Sequence, residues 1–353
     1  MKRILSKQIA MLAVLMMVFA FAGCSDDDDD NPTGNGGGPT DQVSVVTTAG
    51  DTYFDDYNTI DGMGVNLPAA TFFANYTPDT PNMFVVDLRS ATDYANAHII
   101  GAVNWSINDV MANFDTLPTD QTIVFTCYSG QTASYATAIV NVIGTETGHN
   151  AQNLLFGASG ILPQTMVKAD GSYNYYLSDD IYQNGGFVTT AAPAKPAAGD
   201  YPTVMTEAET AEAVLLERAA AVIGDWGAGE ATMARTDAVA FDEATQMIIN
   251  YWSPSDYANG HLAGAYQYTP EVDILTTGAL NTLPLDKEIG IYCWTGQTSA
   301  QLTAYLRMVG YDAQSITYGT NGMAAGIADL SHTFTPADDS YLSIFEGTGI
   351  VAK

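Results

Sequence analysis

Thr122-Ile-Val-Phe-Thr-Cys127-Tyr-Ser-Gly-Gln-Thr-Ala133 and Glu288-Ile-Gly-Ile-Tyr-Cys293-Trp-Thr-Gly-Gln-Thr-Ser299 write one pattern twice, 166 residues apart. In each, a short apolar run ends in a cysteine, and a Cys-x-x-Gly-Gln-Thr loop leads into a stretch that reads as helix. A short, continuous apolar run suits a strand buried on both faces. A thiol between such a strand and a helix N-terminus sits where backbone N–H groups and the helix dipole favour the thiolate. With only one other cysteine in the chain, two such thiols point to thiol chemistry rather than to packing.

The repetition extends outward from the loops. Phe84-Val-Val-Asp-Leu-Arg-Ser-Ala-Thr-Asp-Tyr-Ala-Asn-Ala-His-Ile-Ile-Gly-Ala102 aligns without gaps on Met247-Ile-Ile-Asn-Tyr-Trp-Ser-Pro-Ser-Asp-Tyr-Ala-Asn-Gly-His-Leu-Ala-Gly-Ala265. Ala151-Gln-Asn-Leu-Leu-Phe-Gly157 matches Ala313-Gln-Ser-Ile-Thr-Tyr-Gly319. A period this long means duplicated domains, not a solenoid. The first copy alternates strands (83–87, 102–105, 122–125, 151–155) with helices (90–97, 107–114, 131–143). The expected fold is α/β: two domains, each a mostly parallel sheet flanked by helices on both faces. Ligands of such sheets bind beyond the carboxyl ends of the strands, where both cysteines fall. The expected layout is domain 1 at 45–188, a Pro/Ala linker at 189–200 and domain 2 at 201–353.

The third cysteine belongs to the start of the chain. Lys2, Arg3 and Lys7 precede an apolar run from Ile9 to Ala22 that closes in Phe21-Ala-Gly-Cys24. That is a secretory signal over 1–23, too short for a spanning helix. Its close resembles a bacterial lipobox, with Phe21 where Leu is usual, and implies cleavage before Cys24 and lipid attachment to it. Residues 24–44, with Asp26 to Asp30 and a Gly/Pro/Asn-rich run, read as a flexible tether whose first twenty or so residues span roughly 25 Å. The expected location is the bacterial cell envelope, lipid-anchored on the periplasmic side or at the cell surface.

Charge narrows the partners. The chain carries a net −29, and loss of the signal removes three basic and no acidic residues, giving −32. Such a surface repels nucleic acid and anionic headgroups. No spacing resembles a metal site, and Asp26–Asp30 is too flexible for a specific one.

Asp87-Leu-Arg-Ser…Asp93-Tyr94…His98-Ile-Ile-Gly-Ala102, Cys127-x-x-Gly-x-Thr and Leu154-Leu-Phe-Gly157 resemble the rhodanese family. Tyr257…Gly260-His-Leu-Ala-Gly-Ala265, Cys293-x-x-Gly-x-Thr-Ser and Gly310-Tyr311 repeat the likeness, which covers roughly residues 65–165 and 235–325. The resemblance implies sulfur transfer without a cofactor. Cys127 and Cys293 take sulfane sulfur from thiosulfate, polysulfide or a persulfide, become persulfides, and pass the sulfur to a thiol or cyanide-like acceptor. The partners are then small sulfur compounds or protein persulfides; the oligomeric state is open. Related phosphatases use a longer Cys-x5-Arg loop, whereas neither loop here contains Arg, and a phosphoryl transition state wants that cation. Thiosulfate-using rhodaneses often carry cations in the loop. Tyr-Ser and Trp-Thr stand there in this chain, so modest thiosulfate affinity is expected.

The loop residues carry specific expectations. Gly130 and Gly296 let the loops curl, Gln131 and Gln297 lie at the rim, and Thr132 and Thr298 bond the loop backbone or cap the helix. Tyr128 and Trp294 point outward and, with Ser129 and Thr295, shape the mouth. Asp87 and Arg89 match an acidic–basic pair that braces the first site; the second copy has Asn250 and Trp252 there. Asp93 and Asp256 read as helix-surface residues and Tyr94 and Tyr257 as core. In the family, the positions of His98 and His261 are mainly structural. Two-domain members commonly keep the cysteine only in the second domain, and this chain keeps both. Three alternatives stand beside the enzyme: a sulfane-sulfur carrier, a partner-docking lipoprotein, and a Cys127–Cys293 disulfide.

Overall fold

The first copy begins with a two-residue strand, β1 (Thr40–Asp41), and helix α1 (Val43–Asp55). These come from a computed structural model, which describes residues 40–57, 64–78, 82–173, 175, 177–327, 333–337 and 339–348. The signal sequence, Cys24 and the acidic run lie outside the described residues. The last positions assigned to the tether form structure: Asp41 Oδ1 accepts from Val43 N–H and Val204 N–H at 3.1 and 2.9 Å.

The first sheet holds β2 (Asn66–Leu67), β3 (Met83–Asp87), β5 (Val103–Asn104), β6 (Thr122–Thr126) and β7 (Ala151–Leu154), in the order β2-β7-β6-β3-β5. All its pairs are parallel. Every residue of β6 is buried, as its continuous Thr-Ile-Val-Phe-Thr run dictates for a central parallel strand. Helices α2 (Ala91–Asn96), α3 (Ile107–Ala112) and α4 (Gln131–Thr147) make the crossovers. Between β3 and β5 lies a short strand, β4 (His98–Ile99), outside the main sheet.

The second copy repeats this plan with β10 (Thr232–Met233), β11 (Gln246–Asn250), β13 (Tyr266–Gln267), β14 (Glu288–Tyr292) and β15 (Ala313–Ile316), again parallel throughout, in the order β10-β15-β14-β11-β13. The expected pair of parallel α/β sheets is therefore present. Its helices include α5 (Ala211–Val222), α6 (Pro254–Asn259) and α7 (Gln297–Val309).

The copies are interlaced rather than merely adjacent. Strand β8 (Phe187–Val188), which follows the first sheet, pairs with β12 (His261–Leu262) of the second copy. Strand β16 (Phe345–Glu346), which follows the second sheet, pairs with β4 of the first. Strand β1 pairs with β9 (Met205–Thr206), so the two entry segments also meet. Helices α1, α4, α5 and α7 pack on one another in a shared layer. One hydrophobic core accordingly runs through both copies, from Val46 and Phe54 through Tyr135 and Ile139 to Leu215, Tyr305 and Val309. The Pro/Ala linker lies against the second copy: Lys195 Nζ meets Asp273 at 2.6 Å, and Gly199 N–H donates to Asn281 O at 2.7 Å.

Candidate active site

Each cysteine ends a central strand and precedes a shared-layer helix. At the first site, Gly130 adopts φ +89° just before α4, a turn that directs N–H groups back at the sulfur. The N–H groups of Gly130 and Ala133 donate to Cys127 Sγ at 3.1 and 3.4 Å. At the second, Gly296 has φ +82°, and Ser299 N–H donates to Cys293 Sγ at 3.3 Å. A glycine from the following strand's turn closes each loop from behind. A Cβ on Gly157 would lie 2.5 Å from Cys127 O, and one on Gly319 would lie 2.4 Å from Cys293 O. The loop carbonyls instead receive Ala158 N–H and Thr320 N–H at 2.7 and 2.9 Å. Both thiols are free.

Gln131 and Gln297 are not at a rim. Both are buried, and each reaches into the opposite copy. Gln131 donates to Gly296 O at 3.3 Å and accepts from Tyr318 N–H at 3.0 Å. Gln297 donates to Leu154 O at 3.3 Å and accepts from Phe156 N–H at 2.9 Å. Phe156 and Tyr318 both have φ +62°, a costly conformation for aromatic residues, and it belongs to the turn that offers these N–H groups. The two copies thus face each other across their junction: Gln131 holds the second loop through Gly296 O, and Gln297 holds the Leu154–Phe156 turn that backs the first. In the sequence, Phe156 and Tyr318 stand out only as part of the repeat. Nothing in a single copy signals that its glutamine serves the other.

Tyr128 and Trp294 are half-buried and engaged within their own copies. The Tyr128 hydroxyl donates to Asp93, and Ser90 N–H donates to the same hydroxyl at 3.1 Å. Trp294 stacks on Trp252 at 3.8 Å. Asp93 is consequently buried rather than on a helix surface. Burial alone would raise its carboxyl, but hydrogen bonds from Ser90, Tyr128 and Ala169 N–H, with the Arg89 charge, hold it below the usual range. Aromatic side chains from both copies cluster at the junction: Tyr175 stacks on Phe334 at 4.1 Å and meets Phe156 and Tyr318 edge-on, and its hydroxyl donates to Thr295 O at 3.1 Å. Cys127 and Cys293 are 2 and 3% exposed.

Burial also decides the charge on the first thiol. It pushes the Cys127 thiol up, and the N–H groups of Ala133, Ser129 and Gly130 with the Thr132 hydroxyl pull it back only in part. The backbone cradle expected from the sequence is present, yet desolvation outweighs it. Thr132 is half-buried and also lines a groove of about 530 Å³ with Arg89, Ser90, Asn104, Trp105 and Trp226; Cys127 is not in its lining. Gly130 and Gly296, not the threonines, occupy the helix-cap position.

Asp87 and Arg89 form the expected brace, at 2.6 Å and fully buried. Arg89 also donates to Val167 O and Ala97 O, at 3.0 and 2.6 Å, so none of its charge is spare for an anion. His98 and His261 are packing residues: each Nδ1 contacts a tyrosine carbonyl at 2.8 Å, and each ring stacks on that tyrosine.

Residues 74–161 and 237–327 each match the rhodanese-like domain family. A 46-residue segment is 48% identical to a tRNA sulfurtransferase of Pyrobaculum aerophilum; it covers 13% of this chain and 10% of that protein. Solved structures include a rhodanese-related protein of Thermoplasma volcanium, 18% identical over 26% of this chain and 84% of the other, with a TM-score of 0.23. Another is a rhodanese-like domain protein of Staphylococcus aureus, 17% identical over 26% and 86%, with a TM-score of 0.22. The two matched segments, each holding four of its sheet's five strands and one cysteine loop, make this chain a tandem member of the rhodanese-like family.

Proposed function

We propose that the protein is a sulfurtransferase working through cysteine persulfides. The supporting observation is the loop itself: six residues from Cys to Thr, curled by a left-handed glycine, with N–H groups on the sulfur and no cationic side chain. In the forward half-reaction, the thiolate attacks the sulfane sulfur of thiosulfate, polysulfide or a persulfide. The donor's bond to that sulfur breaks, and its electron pair leaves with the remainder. In the second half-reaction, a thiolate or cyanide attacks the outer sulfur of the persulfide and the cysteine leaves as thiolate. The chain is proposed to act as a lipoprotein of the bacterial envelope held through Cys24, which acyl labelling of Cys24 tests.

The burial of both thiols and the raised Cys127 thiol favour a second reading, a carrier that holds sulfane sulfur without turnover. One experiment separates the two. Wild type, Cys127→Ser and Cys293→Ser are incubated with thiosulfate or polysulfide, and the gain of one sulfur atom and cyanide-dependent thiocyanate are measured. Loading with turnover supports the enzyme, and loading without turnover supports the carrier. Neither, with every donor, overturns both readings.

A further inference from the structure

Two buried hydroxyls set the second sulfur site apart from the first. Where the first copy has Ala133, the second has Ser299, whose Oγ lies 3.6 Å from Cys293 Sγ. Where the first has Asn153, the second has Ser315, whose Oγ lies 2.9 Å from Ser299 Oγ. Both serines are fully buried. Asn153 in the first copy instead donates to Asn66 and accepts from Gln301, away from any thiol.

We propose that Ser299, backed by Ser315, is a catalytic residue of the Cys293 site that donates a hydrogen bond to the thiolate when it forms and when it leaves. This rests on the sulfur-transfer reading above. Hydrogen-bond bookkeeping supports it. With the thiol protonated, S–H donates to Ser299 Oγ, and Ser299 O–H donates to Gly296 O at 3.1 Å. That carbonyl is over-supplied, for it is also reached by Ala300 N–H at 3.1 Å, Ser315 Oγ at 3.3 Å and Gln131 Nε2 at 3.3 Å. A carbonyl oxygen has two lone pairs, so the Ser299 hydroxyl can turn to the sulfur without leaving it unsatisfied.

Charge-assisted bonds are the strong ones, and a sulfur this little exposed has scant water to supply them. In loading, Cys293 loses its proton to solvent, and Ser299 O–H turns to the thiolate that then attacks the donor. In unloading, the acceptor attacks the outer sulfur, the S–S bond breaks, and the pair returns to Cys293 Sγ, where Ser299 O–H meets it. Among the described residues, the first site's hydroxyl for this is Thr132, half-buried at the groove. The two thiols therefore divide the labour, with Cys293 the faster to give up sulfur.

The test uses the full chain and no sulfur donor, so it stands or falls separately from sulfur transfer. Iodoacetamide alkylation of each cysteine is followed from pH 6 to 10 by peptide mass spectrometry. Ser299→Ala should move the Cys293 midpoint up by about one pH unit, slowing alkylation about tenfold below it, with the high-pH plateau and Cys127 unchanged. Ser299→Thr should restore the wild-type midpoint, and Ser315→Ala should give a smaller shift, about threefold in rate, the same way. An unmoved midpoint in Ser299→Ala, or a rate change equal at every pH, would mean that the serine only packs and overturns the proposal. Should Ser299→Ala fail to fold, an unmoved midpoint in Ser315→Ala overturns it instead.

Discussion

The first loop is braced by charge and the second by stacked rings. Arg89 and Asp87 tie the end of β3 to Ala97 and Val167, and Asp93 takes the Tyr128 hydroxyl. In the second copy Trp252 replaces the arginine, stacks on Trp294 and meets Tyr292 edge-on at 5.5 Å. Its indole N–H finds no acceptor among the described residues, whereas Arg89 donates from Nε and from both terminal nitrogens. A duplicated fold thus needs its loop held, not held by one chemistry. Removing one partner of a buried ion pair strands the other charge, so Arg89→Ala should cost about 4 kcal/mol in urea unfolding. Trp252→Ala removes a large ring and leaves a cavity, and should cost about 3 kcal/mol. The comparison breaks if Arg89→Ala behaves like a surface substitution, or if it exposes Cys293 as much as Cys127.

The glutamine latches supply a cross-test. Gln131→Ala leaves Tyr318 N–H without its buried acceptor, and Gln297→Ala does the same to Phe156 N–H. Each should cost about 1–2 kcal/mol. Because Gln131 also holds Gly296 O of the second loop, Gln131→Ala should speed alkylation of Cys293 more than that of Cys127, by up to about tenfold if the loss falls on local opening. Equal acceleration at both thiols would show that the glutamines only fill space.

Much of this was legible before any coordinates. Strands β3 and β6 announce themselves as unbroken apolar runs, Ser90 caps α2 by accepting from Asp93 N–H at 3.2 Å, and the cysteine loops sit at the strand ends. What stayed hidden was pairing between copies. A sequence repeat shows that two units exist, but β8 and β16 are two-residue strands with no periodicity to read, and each pairs with the other copy. The same blindness misplaced Gln131 and Gln297, polar residues that a single domain would leave at the surface and that only a facing loop can bury satisfied. Asp93 differs from expectation for a related reason: its helix position is ordinary, and Tyr128 and Ala169, from distant parts of the chain, close over it.

The smallest effect concerns the thiol that burial keeps protonated. Cys127 is held above its ordinary value, so the folded protein binds its proton more tightly than the unfolded chain does. The stability this contributes is whole below the unfolded thiol's value of about 8.5 and is lost as pH climbs through the folded one. Buried tyrosines act the same way one step higher, since burial pushes Tyr268 up to about 12 against about 10 when unfolded. Urea midpoints measured between about pH 8 and 10 should therefore fall for the wild type before the tyrosines contribute. Cys127→Ser cannot ionise there, so its midpoints should fall less steeply over that window. Parallel slopes throughout would mean that the N–H cradle already offsets burial at the first site, and that hydroxyl chemistry alone separates the two thiols.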